Sequence, residues 1–189
     1  IEIGGFVRSD RVPQMAGTRE MVEKSQALKK LKKVKNDIEY SVLVPNMRGW
    51  EEAKGLQIQE VALFASSTES FSQKNINCSI DESFERFIPV IKAAKEKKIR
   101  VRGYLSVCFG CPFEGDVPES KVVELVKRMV ALKIDEISIG DTIGIAGIGQ
   151  VSSLFKKLKK VMTAKRLAGH FHDTRGQALV NILAAYEEG

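Results

Sequence analysis

Ile134-Asp135-Glu136-Ile137-Ser138-Ile139-Gly140-Asp141, the helical pattern over residues 151–162, and Leu167-Ala168-Gly169-His170-Phe171-His172 make one strand–helix–strand unit. The first run is short and largely apolar, and Gly140-Asp141 stops it. Leu154, Leu158 and Val161 then recur at helical spacing among lysines, which predicts an amphipathic helix with its apolar stripe facing inward. Strands joined through a helix lie parallel, because a tight hairpin can only return the chain antiparallel.

The same alternation extends outward. Strands are predicted at Tyr40 to Val44, Glu60 to Phe64 and Ile99 to Leu105, and Ile1-Glu2-Ile3 reads as the tail of an earlier one. Helices are predicted at Glu20 to Lys33, Glu51 to Lys54, Asp81 to Lys97, Glu119 to Leu132, Val151 to Met162 and Gln177 to Glu187. Leu28, Leu31 and Val34 give the first of these an inward apolar stripe. Ser79-Ile80-Asp81-Glu82 fits a capping box. Val117-Pro118-Glu119 places Pro in a first turn, where its missing N–H costs nothing. Pro89 lies inside a predicted helix, where a kink is expected.

Strict β/α alternation means a parallel sheet with helical crossovers. No Gly-x-Gly-x-x-Gly follows a strand, so a dinucleotide fold has no support. Asn46, Ser66, Ser106, Asp141, His170 and His172 all fall at strand C-terminal ends. Barrels and open sheets both place their sites there, so this pattern leaves the two architectures open.

Composition excludes several classes. The chain has 189 residues and is 43% hydrophobic, enough for one sizeable core. No apolar run reaches the roughly 18 residues a membrane helix needs. No signal peptide is visible at Ile1, and the three cysteines argue for a reducing compartment. The net charge of +6 comes from lysine clusters that read as solvated helix faces. No aromatic platform accompanies them, so no nucleic-acid partner is expected. Their field would attract an anionic substrate such as a coenzyme A ester.

His170 and His172 are the only histidines. Residues i and i+2 of a strand share a face, so both imidazoles can reach one ion while Phe171 points into the helix layer. Asp173 is placed to support a ligand from behind. Two ordinary polar residues at a strand end is the competing reading. Asp141, in Gly140-Asp141-Thr142-Ile143-Gly144, reads either as a pocket residue or as an Asx-type turn. Cys108-Phe109-Gly110-Cys111-Pro112 spells a C-x-x-C, but no second pair exists, so a turn at a strand top is favoured over zinc or redox chemistry.

Together these segments resemble the 3-hydroxy-3-methylglutaryl-CoA lyase family over essentially the whole chain. The carrying segments are Phe6-Val7, Val12-Pro13-Gln14-Met15, Lys74-Asn75-Ile76-Asn77-Cys78-Ser79-Ile80, Val101-Arg102-Gly103-Tyr104 and Gly110-Cys111-Pro112-Phe113-Glu114-Gly115. Ile137 to Gly144, His170-Phe171-His172-Asp173-Thr174 and Gly176-Gln177-Ala178-Leu179 complete them. The His-x-His-Asp and Gly-Asp-Thr elements are shared with barrel synthases that make C–C bonds.

The resemblance implies an α/β fold, a (β/α)8 TIM barrel of which residues 1–189 form a single catalytic domain with about six of the eight units. It implies metal-dependent cleavage of 3-hydroxy-3-methylglutaryl-CoA to acetoacetate and acetyl-CoA, a retro-Claisen reaction of leucine degradation and ketone-body metabolism. It assigns His170 and His172 to a divalent metal, Mg²⁺ or Mn²⁺, and gives His170, Asp141 and Glu2 catalytic roles. Asn75, Tyr104 and Ser138 are assigned to substrate binding. The implied partner is an acyl-CoA; no nucleic acid or membrane is involved, and a homodimer is allowed. The compartment follows the source, cytoplasmic in a bacterium or the mitochondrial matrix in a eukaryote. The alternatives are a related synthase or aldolase acting on 2-oxo acids and a non-enzymatic barrel fragment.

Arg175 stands where the family often has Tyr, Phe171 where it often has Cys, and Gly4-Gly5 replaces a more polar pair. The family's first and last strands, with two further metal ligands and a catalytic Cys, have no counterpart in residues 1–189. The expectation is a longer natural protein of roughly 250 residues or more. The bare 189-residue chain is then expected to be inactive and prone to association.

Overall fold

The computed structural model describes residues 1–35 and 37–189. Its strands are β1 (Glu2–Gly5), β2 (Ser41–Leu43), β3 (Glu60–Ser66), β4 (Arg100–Ser106), β5 (Glu136–Asp141) and β6 (Leu167–Phe171). Its helices are α1 (Thr18–Lys30), α2 (Met47–Ala53), α3 (Glu69–Ile76), α4 (Ile80–Glu96), α5 (Glu119–Ala131), α6 (Ile148–Leu158) and α7 (Ala178–Glu187). All six predicted strands and all six predicted helices are present, within a few residues at most ends.

The strands form one sheet in the order β1-β2-β3-β4-β5-β6. Ladders β1–β2, β2–β3 and β5–β6 run parallel. Right-handed crossovers in an order that never reverses always step the same way, which is how a barrel winds. A doubly wound sheet must reverse at a switch point. The choice that the sequence pattern left open therefore falls to the barrel.

Two compact units divide the chain, residues 1–63 with 85–102 and residues 64–84 with 103–189. In the first, Val22, Val42, Val44, Val61, Leu63 and Val90 are sealed from solvent. In the second, α5 buries Val122, Leu125, Val126 and Met129, and α6 buries Val151, Leu154, Phe155 and Leu158. These are the i, i+3, i+4, i+7 stripes of amphipathic helices. Gly103 lets β4 meet α5 closely: a Cβ there would lie 2.2 Å from Met129 Cε.

Several expectations need correction. Leu28 and Leu31 are exposed, not inward, and α1 stops at Lys30 before Val34 can extend the stripe. Lys32 adopts φ 56°, Lys32 N–H donates to Lys29 O, and Lys33 N–H donates to Leu28 O. That is a Schellman closure with Lys where Gly is usual. Lys98 and Lys133 close the ends of α4 and α5 in the same way. Pro118 is the N-cap of α5 rather than a first-turn residue. Helix α3 was not expected at all. The capping box of α4 is present: Ser79 N–H donates to Glu82 Oε2 at 2.7 Å, and Glu82 N–H to Ser79 Oγ at 3.1 Å.

Candidate active site

Strand β6 carries His170 as its penultimate residue, and His172 follows its end. In the parallel ladder Ser138 pairs with Ala168 and Gly140 with His170, so Ser138 lies on the His170 face of the sheet one pleat earlier. Leu167, Gly169 and Phe171 take the other face and line a groove of 270 Å³ with Phe155, Ile182 and Tyr186 of α6 and α7. Phe171 thus points into the helix layer, as alternation requires.

His170 Nε2 and His172 Nε2 are 3.3 Å apart, and both residues are exposed. Two nitrogens held at about 2.1 Å in neighbouring positions around one ion stand roughly 3.0 to 3.4 Å apart, depending on the angle at the ion. The observed separation falls within that range, and it is also that of a hydrogen bond between the two rings. Two protonated imidazoles would not keep this contact, because both nitrogens would then be donors. Tyr104, on β4, meets His170 edge-on with ring centroids 6.0 Å apart and planes at 81°. Among the described residues no group of three or more His, Cys, Asp or Glu could hold a metal ion.

Asp141 is almost fully buried. Its Oδ1 accepts from Ile145 N–H and its Oδ2 from Ala146 N–H, both at 3.0 Å. Its backbone O accepts from His172 N–H at 3.3 Å. Asp141 thus shapes the β5–α6 loop and ties it to the histidine segment. Gly144, at φ +63°, lets the loop approach: a Cβ there would lie 2.7 Å from His172 O. Asn181 Nδ2 donates to Ala146 O at 2.8 Å from α7. Asp173 Oδ1 accepts from Ala178 N–H at 2.9 Å. Asp173 therefore serves the free N–H groups at the start of α7, a correction to its expected place behind an imidazole.

A second cluster surrounds α3. The turn Cys111 to Gly115 closes through paired backbone bonds of 2.8 and 2.9 Å. Glu114 Oε1 accepts from Ser70 N–H at 2.8 Å and Ser70 Oγ–H at 2.6 Å. A carboxylate there meets unpaired N–H groups and the positive end of the helix dipole. Ser70 holds the Glu114 carboxyl below its usual range. Thr68 Oγ1 donates to Cys111 Sγ at 3.1 Å. Burial would push the Cys111 thiol up, but the hydrogen bonds from Thr68, Phe113, Glu114 and Ser70 outweigh it and lower the thiol. Burial pushes Cys108 up to about 12, so that thiol is inert. All three cysteines are free, and the C-x-x-C leads into the turn that starts at Cys111.

Of the expected site residues, contacts join His170, His172 and Tyr104, and the β5–β6 ladder sets Ser138 on the His170 face; Asp141 pairs with Phe171 on the other face and meets the histidine segment through its backbone O. Asn75 stands exposed on α3. Glu2 is exposed on β1, opposite Ser41, in the other compact unit. Reading the sequence missed a latch. Thr142 Oγ1 accepts from Val107 N–H at 2.8 Å, and Val107 has φ +54°, an outlier for a β-branched residue. Cys108 N–H, next along, donates to Gly140 O at 2.9 Å. Thr142 lies inside the quoted Gly-Asp-Thr segment, but nothing local marks its partner.

A parallel sheet wound in unbroken sequence order, with paired imidazoles at a strand's C-terminal end, defines a barrel of the (β/α)8 class. The HMGL-like family model matches residues 1–189, and the chain belongs to that family. It is 43% identical over 189 residues to the 3-hydroxy-3-isohexenylglutaryl-CoA/hydroxy-methylglutaryl-CoA lyase of Pseudomonas aeruginosa, covering all of this chain and 61% of that one. It is 46% identical over 190 residues to the hydroxymethylglutaryl-CoA lyase of Pseudomonas mevalonii, covering 60% of it. The crystal structure of hydroxymethylglutaryl-CoA lyase from Pseudomonas aeruginosa superposes with a TM-score of 0.92 at 43% identity, over all of this chain and 61% of that one. The chain thus spans about 60% of the length of these relatives. Rat relatives include mitochondrial and cytoplasmic forms. Among the described residues no helix is long and apolar enough to cross a membrane.

Proposed function

We propose that this chain belongs to a metal-dependent carbon–carbon lyase that cleaves 3-hydroxy-3-methylglutaryl-CoA to acetoacetate and acetyl-CoA. The observation that carries the reading is the 3.3 Å convergence of His170 and His172 Nε2, at a strand end, in a chain of the HMGL-like family. The named relatives act on hydroxymethylglutaryl-CoA, which supports the same acyl-CoA class here.

His170 and His172 would hold the ion through their Nε2 atoms. Mg²⁺ or Mn²⁺ suits the family's nitrogen, carboxylate, amide and water donors. Such a cation, when bound, polarises a chelated hydroxyl and lowers its pKa. The chain's own residues do the rest. Tyr104 packs its ring edge against His170 and limits that imidazole's rotation. Asp141 fixes the loop beside His172 by holding two backbone N–H groups, which keeps the second imidazole in register. The resemblance gives His170 the acid–base role toward the substrate's hydroxyl proton; with Nε2 on the ion, Nδ1 is the ring nitrogen left for that work. Loss of that proton lets the C–C bond break and leaves an acetyl-CoA enolate, which an acid then protonates. Glu2, Asn75 and Ser138 keep their assignments from the resemblance, Glu2 in acid–base work and the other two toward the acyl group.

Full-length protein assayed for acetyl-CoA release, with Mn²⁺ added and then chelated, tests the reading. Cleavage should require the metal and collapse in His172→Ala. Efficient condensation of acetyl-CoA onto a 2-oxo acid, without cleavage, would move the assignment to the synthase relatives.

A further inference from the structure

Arg175 follows the histidine segment by three residues and is exposed. Its Nη1 donates to Ile143 O at 3.2 Å and to Gly144 O at 3.3 Å. Both carbonyls belong to the loop that Asp141 folds from the inside. The guanidinium therefore spans two loops, the one after β5 and the one after β6.

The contacts around it run the same way. His172 N–H reaches Asp141 O at 3.3 Å. Gly144 sits so close that a Cβ would be 2.7 Å from His172 O and 2.9 Å from Thr174. Lifting residues 143–144 would thus release the backbone that seats His172. Asp141, Asn181 and Thr142 fix this loop from partly or fully buried positions. Arg175 is the clamp on the solvent side. An exposed residue with two long hydrogen bonds adds little to global stability. Its effect is local: it fixes the loop that His172 leans on.

We propose that Arg175 is a positioning residue for the metal-binding pair. It staples the β5–α6 loop to the segment after His172 and so presets the separation of the two imidazoles. This rests on the metal reading given above.

The test is Mn²⁺ affinity by isothermal titration on full-length protein, for wild type, Arg175→Ala, Arg175→Lys and His172→Ala, with amide hydrogen exchange at Ile145 and Ala146. Arg175→Ala should weaken Mn²⁺ binding by up to about tenfold, the lower range for residues that support a ligand from behind. It should also speed exchange at both amides. Arg175→Lys should recover most of the affinity, because its ammonium reaches nearly as far and can still donate to a loop carbonyl. Unchanged or tighter binding in Arg175→Ala, with normal wild-type binding and loss in His172→Ala, overturns the proposal alone. Tighter binding in particular would mean that the guanidinium acts as a repelling charge. Wild-type protein that binds no Mn²⁺ removes the metal reading and this proposal with it. A variant that unfolds is distinguished by Arg175→Lys: failure to rescue in a folded Lys variant also overturns the proposal.

Discussion

Gly144→Ala should damage this protein far more than Gly149→Ala, five positions further on. Gly144 has φ +63°, and its new Cβ would meet His172 O at 2.7 Å and the Thr174 side chain at 2.9 Å. Ordinary contact begins at 3.4 Å, so the loop or the strand end must give by about 0.7 Å on the carbonyl side. That partner is backbone, which cannot swing aside. The left-handed conformation alone costs an alanine about 1–2 kcal/mol, and relieving the overlap brings the total to roughly 2–4 kcal/mol. Gly149 has nothing within 4 Å of its virtual Cβ and lies in the first turn of α6. Alanine there should gain a few tenths to about 1 kcal/mol from helix propensity. Urea unfolding of the two variants gives both signs. A chain of this size shifts by about 2–4 °C per kcal/mol, so melting temperatures suffice as a check. Because the displaced group is His172 O, Gly144→Ala should also weaken divalent-metal binding. Gly144→Ala of wild-type stability and metal affinity would refute the close approach of loop and histidine segment.

Lys133→Gly should stabilise: removing left-handed strain of about 1–2 kcal/mol, less the 0.4–1 kcal/mol that Gly adds to unfolded-state entropy, leaves a net gain readable by denaturant unfolding. Asp141→Asn keeps the shape but turns an NH₂ toward Ile145 or Ala146 N–H, at a cost of roughly 1–3 kcal/mol in unfolding experiments. Glu114 titrates lower in the folded chain, so its clasp on Ser70 is fully present above the ordinary carboxylate value near 4.3 and is lost as pH falls through the folded value. Hydrogen exchange at the Ser70 amide, followed from pH 6 to pH 3, should show protection that drops only at the acid end and is absent at every pH in Glu114→Gln.

The β/α order was legible because each strand is a short apolar run with an explicit stop, such as Pro45-Asn46 or Gly140-Asp141. The histidine pair was legible because i, i+2 spacing alone puts two side chains on one face. Barrel winding was not, since strand order is a property of the whole sheet. Helix α3 was missed for a local reason: Glu69 to Ile76 carries no apolar stripe, and its start is held by Glu114, 44 residues away from Ser70. The end of α1 was misjudged because Lys32 occupies a left-handed position that usually announces itself with Gly. The clamps on the β5–α6 loop were equally hidden. Thr142 and Val107 are 35 residues apart, and Arg175 and Ile143 are 32. Asp141 carried two readings, and the structure shows its carboxylate shaping the turn beside the histidines.

The central claim is that His170 and His172 share one divalent ion, and Mn²⁺ electron paramagnetic resonance with detection of ¹⁴N couplings tests it most directly. The spectrum of the full-length protein should show two imidazole nitrogens on the metal. Either His170→Ala or His172→Ala should remove one of them and sharply lower the affinity. A spectrum without imidazole nitrogen, or a titration of His172→Ala that matches wild type, would contradict it.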